Sequence, residues 1–146
     1  MKNIKILSAN IIILSLSLVF LGSCGGDDDA DPKADQTAKL AKTWSASTVR
    51  LDNVDVTIPS YENFSITFSS AGTYSTQDGD PIFTGNGSWS FDGDNVNAII
   101  ISGTKANITL NGDATTLVLT FTAPDAPLTG RAYGLSGNYE FNLTAP

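Results

Sequence analysis

Histidine is absent from the 146 residues, cysteine and methionine occur once each, and 8 Lys plus Arg face 15 Asp plus Glu. Each shortage removes a class of chemistry. Without histidine there is no Ser-His-Asp or Cys-His nucleophile system and no His-ligated zinc. With a single thiol there is no intrachain disulfide, so an apolar core has to hold the fold. A net charge of −7 and no clustered Lys/Arg face make nucleic acid a poor partner, because its phosphates repel such a chain. Only carboxylate chemistry is left, and no catalytic residue, cofactor or metal site stands out. Asp78 with Asp80 and Asp92 with Asp94 are the nearest approach to paired acids or calcium ligands. Neither continues into the spacing that ends in a bidentate glutamate, and Asp-Gly-Asp is ordinary turn chemistry.

The one cysteine, Cys24, divides the chain. Before it, Met1 to Lys5 carries two lysines, and Ile6 to Leu21 is apolar apart from Ser8, Asn10, Ser15 and Ser17. That run is shorter than the roughly 20 residues that span a bilayer, and it has the basic, apolar, small-residue order of a secretory signal. Loss of Lys2 and Lys5 with residues 1–23 would take the net charge from −7 to −9.

Leu21-Gly22-Ser23-Cys24 resembles the lipobox of bacterial prolipoproteins, with a leucine three positions before the cysteine and small residues between. The resemblance implies cleavage between Ser23 and Cys24, diacylglycerol on the Cys24 sulfur and a palmitate-type acyl chain on its new amino group. The expected partner of that end is therefore a membrane, reached through lipid. Residues 24–38 then read as an acidic flexible tether, small and apolar-poor, with Pro32 expected to break any early helix. Gly25-Gly26-Asp27-Asp28-Asp29 resembles the acidic surface-export signal of Bacteroidetes lipoproteins, which implies the outer face of the outer membrane.

One short helical turn is expected between Asp35 and Lys42, and from there residues 39–146 change to a period of two. Phe64, Ile66 and Phe68 alternate with Ser65, Thr67 and Ser69, and Trp89 and Phe91 with Ser88 and Ser90. Ala106, Ile108 and Leu110 alternate with polar residues, as do Leu117, Leu119 and Phe121, then Tyr139, Phe141 and Leu143. With Lys42 to Leu51, Thr73 to Thr76 and Val96 to Ser102 this makes about eight strands, the first with imperfect alternation that suggests a bulge. Ser70-Ala71-Gly72, Asp78-Gly79-Asp80, Asn86-Gly87, Asp92-Gly93-Asp94, Ser102-Gly103 and Asn111-Gly112-Asp113 are expected turns. Short connections favour an antiparallel meander. A meander with one dry face closes most simply into a small all-β up-and-down barrel, with a β-sandwich as the alternative.

Leu40 to Trp44, Ser69 to Tyr74, Gly87 to Phe91 and Gly134 to Leu143 resemble the lipocalin-like domains of Bacteroidetes lipoproteins. Lys42 stands where lipocalins usually have a glycine. In lipocalins a late arginine packs on the first tryptophan, and Arg131 is the candidate for that place against Trp44. A barrel of this size holds either one small ligand or its own side chains. Two non-enzymatic functions follow: binding a small apolar or glycan ligand, or serving as a structural or interaction subunit with an outer-membrane protein partner. The connections Gln77 to Gly87 and Thr122 to Gly137 exceed ordinary turn length. Leu128, Arg131 and Tyr133, with Phe83 as a neighbour, are the candidate ligand or contact residues.

Overall fold

The computed structural model describes residues 31–83, 85–123 and 136–146, and among the described residues one short α-helix is followed by nine strands. Helix α1 covers Pro32–Leu40. Strands β1 (Thr43–Leu51), β2 (Val54–Asp55), β3 (Ser65–Phe68), β4 (Thr73–Gln77), β5 (Asn86–Asp92), β6 (Asn95–Ile101), β7 (Thr104–Leu110), β8 (Thr116–Ala123) and β9 (Gly137–Thr144) complete the chain. All pairings are antiparallel, each main strand pairs with the next, and β9 returns to pair with β1. The result is a closed eight-stranded up-and-down barrel, with β2 added beside the C-terminal half of β1. A sandwich is excluded by that closing pair.

Proline does not break the early helix; it starts it. Pro32 occupies the first turn, where its missing N–H costs nothing, and the Asp31 carboxylate caps the end by accepting from the Lys33 amide at 2.9 Å. The helix therefore begins three residues before the expected Asp35, inside the stretch read as tether. Lys39 pairs with Asp35 one turn back at 2.6 Å. Nine residues are too few to stand alone, and the tertiary hold comes from Leu40, which is fully buried. Trp44 locks the junction, its indole N–H donating to the Leu40 carbonyl at 3.0 Å. The Lys42 ammonium sits 5.4 Å from the centre of the Trp44 ring, so a cation does pack on this tryptophan, from two residues away in sequence. Arg131 lies outside the described residues.

The expected bulge lies in β1, where the register against β9 shifts between Ala46 and Thr48. It changes which parity points inward, so that Trp44 before it and Val49 after it are both buried. Alternation is regular in β3, β7, β8 and β9, whereas β6 buries the neighbours Ala98 and Ile99 and the β5–β6 register shifts between Phe91 and Asp92. Of the inward set read from the sequence, all but Phe91 and Leu110 are buried, and those two pack partly covered against the core.

Turns at 70–72, 92–94, 102–103 and 111–113 fall where expected. Ser102 and Gly103, at φ 46° and 87°, form a two-residue hairpin between Ile101 and Thr104. Asp52 and Asn53 make another at φ 48° and 68°, unmarked by any glycine. Asn86-Gly87 is not a turn, because both residues lie in β5. A Cβ on Gly87 would stand 2.8 Å from the Tyr74 ring, so the glycine is there to let that ring cross the strand. The Tyr74 hydroxyl is held by Ser102 at 2.9 Å.

The two ends of the barrel differ. One end, the helix end, carries α1 and the short turns after β3, β5 and β7. At the other, the loop end, lie the β1–β2 and β6–β7 hairpins, an irregular turn over Thr57–Tyr61, the connection from β4 to β5, the end of β8 and the start of β9.

Candidate functional site

The loop-end part of the interior is filled by aromatic rings, and aliphatic side chains such as Ile66, Ile99, Ile108, Leu117 and Leu119 fill much of the rest. Phe141 has Tyr61, Phe64, Phe83 and Phe121 around it at ring-centre distances of 5.2, 5.0, 5.6 and 5.9 Å. Phe83 also stacks on Phe64 at 5.7 Å and meets Phe121 edge-on at 5.4 Å. Nearer the helix end, Phe68 and Trp89 meet edge-on at 5.5 Å. Edge-to-face and offset geometries of this kind suit the ring quadrupoles and fill space that a ligand would otherwise occupy.

Phe83 is therefore a core residue. It belongs to a loop rich in Asp, Gly and Pro, but the amides of Ile82 and Phe83 donate to the Gly79 carbonyl at 3.0 and 2.8 Å, and this tight turn tips the ring into the barrel mouth. Leu128, Arg131 and Tyr133 lie outside the described residues, as do Ser23 and Cys24. Asp78 and Asp80 line a shallow recess of about 400 Å³ with Glu62 and Asn63. Among the described residues no group of three or more acidic, Cys or His side chains is placed to hold a metal ion.

Burial at the loop end has an electrostatic consequence. Desolvation raises the Tyr61 hydroxyl well above the usual tyrosine range, and the neighbouring Tyr139 hydroxyl adds to the shift. Tyr139 is raised as well, first by burial, with a hydrogen bond to Tyr61 opposing. A folded-state pKa above the unfolded value means stability is intact below the unfolded tyrosine pKa of ~10 and is lost as pH rises beyond it. The urea midpoint is expected to stay level from neutral pH to about pH 9 and to fall above about pH 10. Tyr61→Phe should flatten that alkaline fall, and an unchanged slope in the variant would show that these hydroxyls titrate normally.

The outside of the barrel carries a different kind of site. A groove of about 820 Å³ lies over the outer faces of β7, β8, β9 and β1 towards the loop end. Its floor is set by register: Thr120 is opposite Glu140 and Thr122 opposite Asn138, while Asn107 flanks Thr120 and Arg50 flanks Glu140. One wall is Arg50, Asp52 and Asn53; the other is Gly103, Thr104 and Lys105. Several of these side chains are held by their neighbours. Asp52 accepts from the Asn138 backbone amide at 3.0 Å and from its side-chain amide at 3.2 Å. Thr122 donates to the Asn138 side-chain carbonyl at 2.8 Å, Arg50 pairs with Glu140 at 3.3 Å, and Lys105 pairs with Asp92 at 2.5 Å.

Sequence reading missed this groove. Asn107, Asn138 and Glu140 were legible as wet-face positions, but nothing local says that β1 will lie beside β9. No protein-family model, curated protein or solved structure matches the chain. The closed small barrel with a ring-filled interior is thus the class of protein that its own geometry defines.

Proposed function

We propose that this protein is a lipid-anchored, non-enzymatic binding module of the bacterial outer membrane, exposed on the cell surface. Its lipocalin-like barrel acts as a scaffold, and recognition takes place on the outside of the barrel. The observation that carries this reading is the ring cluster around Phe141, which occupies the space where a carrier barrel would keep its ligand. The surfaces left for recognition are outer strand faces and loops. The Leu21 to Cys24 motif and the acidic run after it support the anchor and its outward placement.

Chain connectivity gives such a module a direction. Asp31 caps α1, so the lipid-bearing terminus joins the barrel at its helix end. The chain from Cys24 to Asp31 reaches about 25 Å at full extension, and the groove lies on the half of the barrel away from that junction.

Protease treatment of intact cells tests the placement. Cleavage within residues 24–30 is expected to release the barrel into the medium without lysis. Full protection until the outer membrane is opened would contradict surface exposure.

A further inference from the structure

We infer that the outer groove over β7, β8, β9 and β1 is a binding site for a neutral oligosaccharide. The inference rests on the binding-module reading and adds the ligand class and the residues. Room is the first argument: the groove is open to solvent along its length and offers about 820 Å³ over the strand faces. Chemistry is the second. Arg50 is paired with Glu140 and Lys105 with Asp92, and Asp52 adds a further carboxylate, so among the described residues the groove has no unpaired cation to draw in an anion. Both donors and acceptors line it, among them the amides of Asn107 and Asn138 and the hydroxyls of Thr120 and Thr122. The two aromatic lining residues, Phe121 and Tyr139, are 7% and 3% exposed and turn into the core, leaving no outward apolar pocket for a hydrophobic peptide anchor.

Preorganisation is the third argument. Bonds to Asp52 and Thr122 fix Asn138, and Arg50 and Asn142 both donate to Glu140 Oε1, at 3.3 and 2.9 Å. The floor sits on strands, so a ligand finds its partners already oriented and little ordering entropy is lost on binding. Thr120 and Asn107 have no side-chain hydrogen-bond partner among the described residues, which leaves their donors and acceptors for sugar hydroxyls at the centre of the floor.

The test is isothermal titration of the full chain, in a detergent without a sugar headgroup, against maltoheptaose, cellohexaose and xylohexaose, with a heparin oligosaccharide as the anionic comparison. At least one neutral oligosaccharide is expected to bind saturably, and the heparin probe is not. Thr120→Tyr, which fills the floor from an outward strand position, is expected to weaken binding at least ten-fold. Ser88→Tyr, on the outer face of β5, should leave it unchanged, with melting temperatures reporting that both variants fold. If Thr120→Tyr fails to fold, Asn107→Ala is expected to weaken binding at least three-fold. No binding of any neutral oligosaccharide, binding of heparin alone, or equal binding by all variants would overturn the assignment. Protease release from intact cells is independent of this result, so the groove and the surface module can fail separately.

Discussion

Truncating Phe141 to alanine is expected to remove about 3–5 kcal/mol of folding free energy. Set against the roughly 5–15 kcal/mol that holds a typical domain together, that loss leaves the barrel marginal or unfolded at room temperature. The size of the effect comes from position. Phe141 is fully buried on β9, the strand that closes the barrel against β1, and its ring meets Phe121 of β8, Tyr61 and Phe64 from the segment before β3, and Phe83 from the β4–β5 connection. Removing it opens a void bordered by rigid rings that cannot relax inward, so the cavity cost adds to the lost transfer free energy. Phe141→Leu retains most of the volume and should lose less than half as much. Urea denaturation by Trp fluorescence reads both, and a Phe141→Ala midpoint within error of wild type would mean the cluster is loosely packed.

Cys24→Ser is expected to abolish lipid attachment altogether. Each buried acyl CH2 contributes ~0.8 kcal/mol to membrane affinity, so two or three chains hold a protein far more firmly than a single reversible one. A serine hydroxyl is a poor substitute for a thiolate as nucleophile. The variant should accumulate as the uncleaved precursor or as soluble protein, and should leave the detergent phase in detergent-phase partitioning, while the barrel melts as in wild type. A mature-sized, membrane-bound Cys24→Ser product would refute the anchor.

How much of this was legible beforehand depended on whether the relevant physics was local. The runs Leu117-Val118-Leu119-Thr120-Phe121 and Tyr139-Glu140-Phe141-Asn142-Leu143 announced strands and their dry faces, because side-chain direction has a period of two whatever the strand pairs with. Turn chemistry was legible where a residue had to take positive φ next to a glycine, as at Ser102-Gly103. It misled at Gly87, where the glycine serves the close approach of Tyr74, and it was silent at Asp52-Asn53, where two L-residues take the left-handed region themselves. Pro32 misled for a similar reason: its effect on a helix depends on whether it falls inside or at the first turn, and Asp31 decides that.

The fate of Phe83 and the existence of the groove were beyond local reading. Phe83 sits among turn-forming residues, and only closure of the barrel gives its ring a place to go. The groove joins Arg50 to Glu140 and Glu140 to Thr120, and the first of these pairs depends on a register between strands ninety residues apart. Such a register is set by the bulge at Ala46 to Thr48 and by the fit of the inner rings, neither of which a single strand records.

Rings packed around Phe141 occupy the loop-end interior of the barrel. Titration of the purified protein with a fluorescent fatty-acid probe, followed by energy transfer from Trp44 and Trp89, measures this directly. A filled interior predicts no saturable probe signal and no stoichiometric quenching of either tryptophan. Tight one-to-one uptake, with quenching relieved by an unlabelled fatty acid, would show that the ring cluster yields to a ligand and that the protein is a carrier after all.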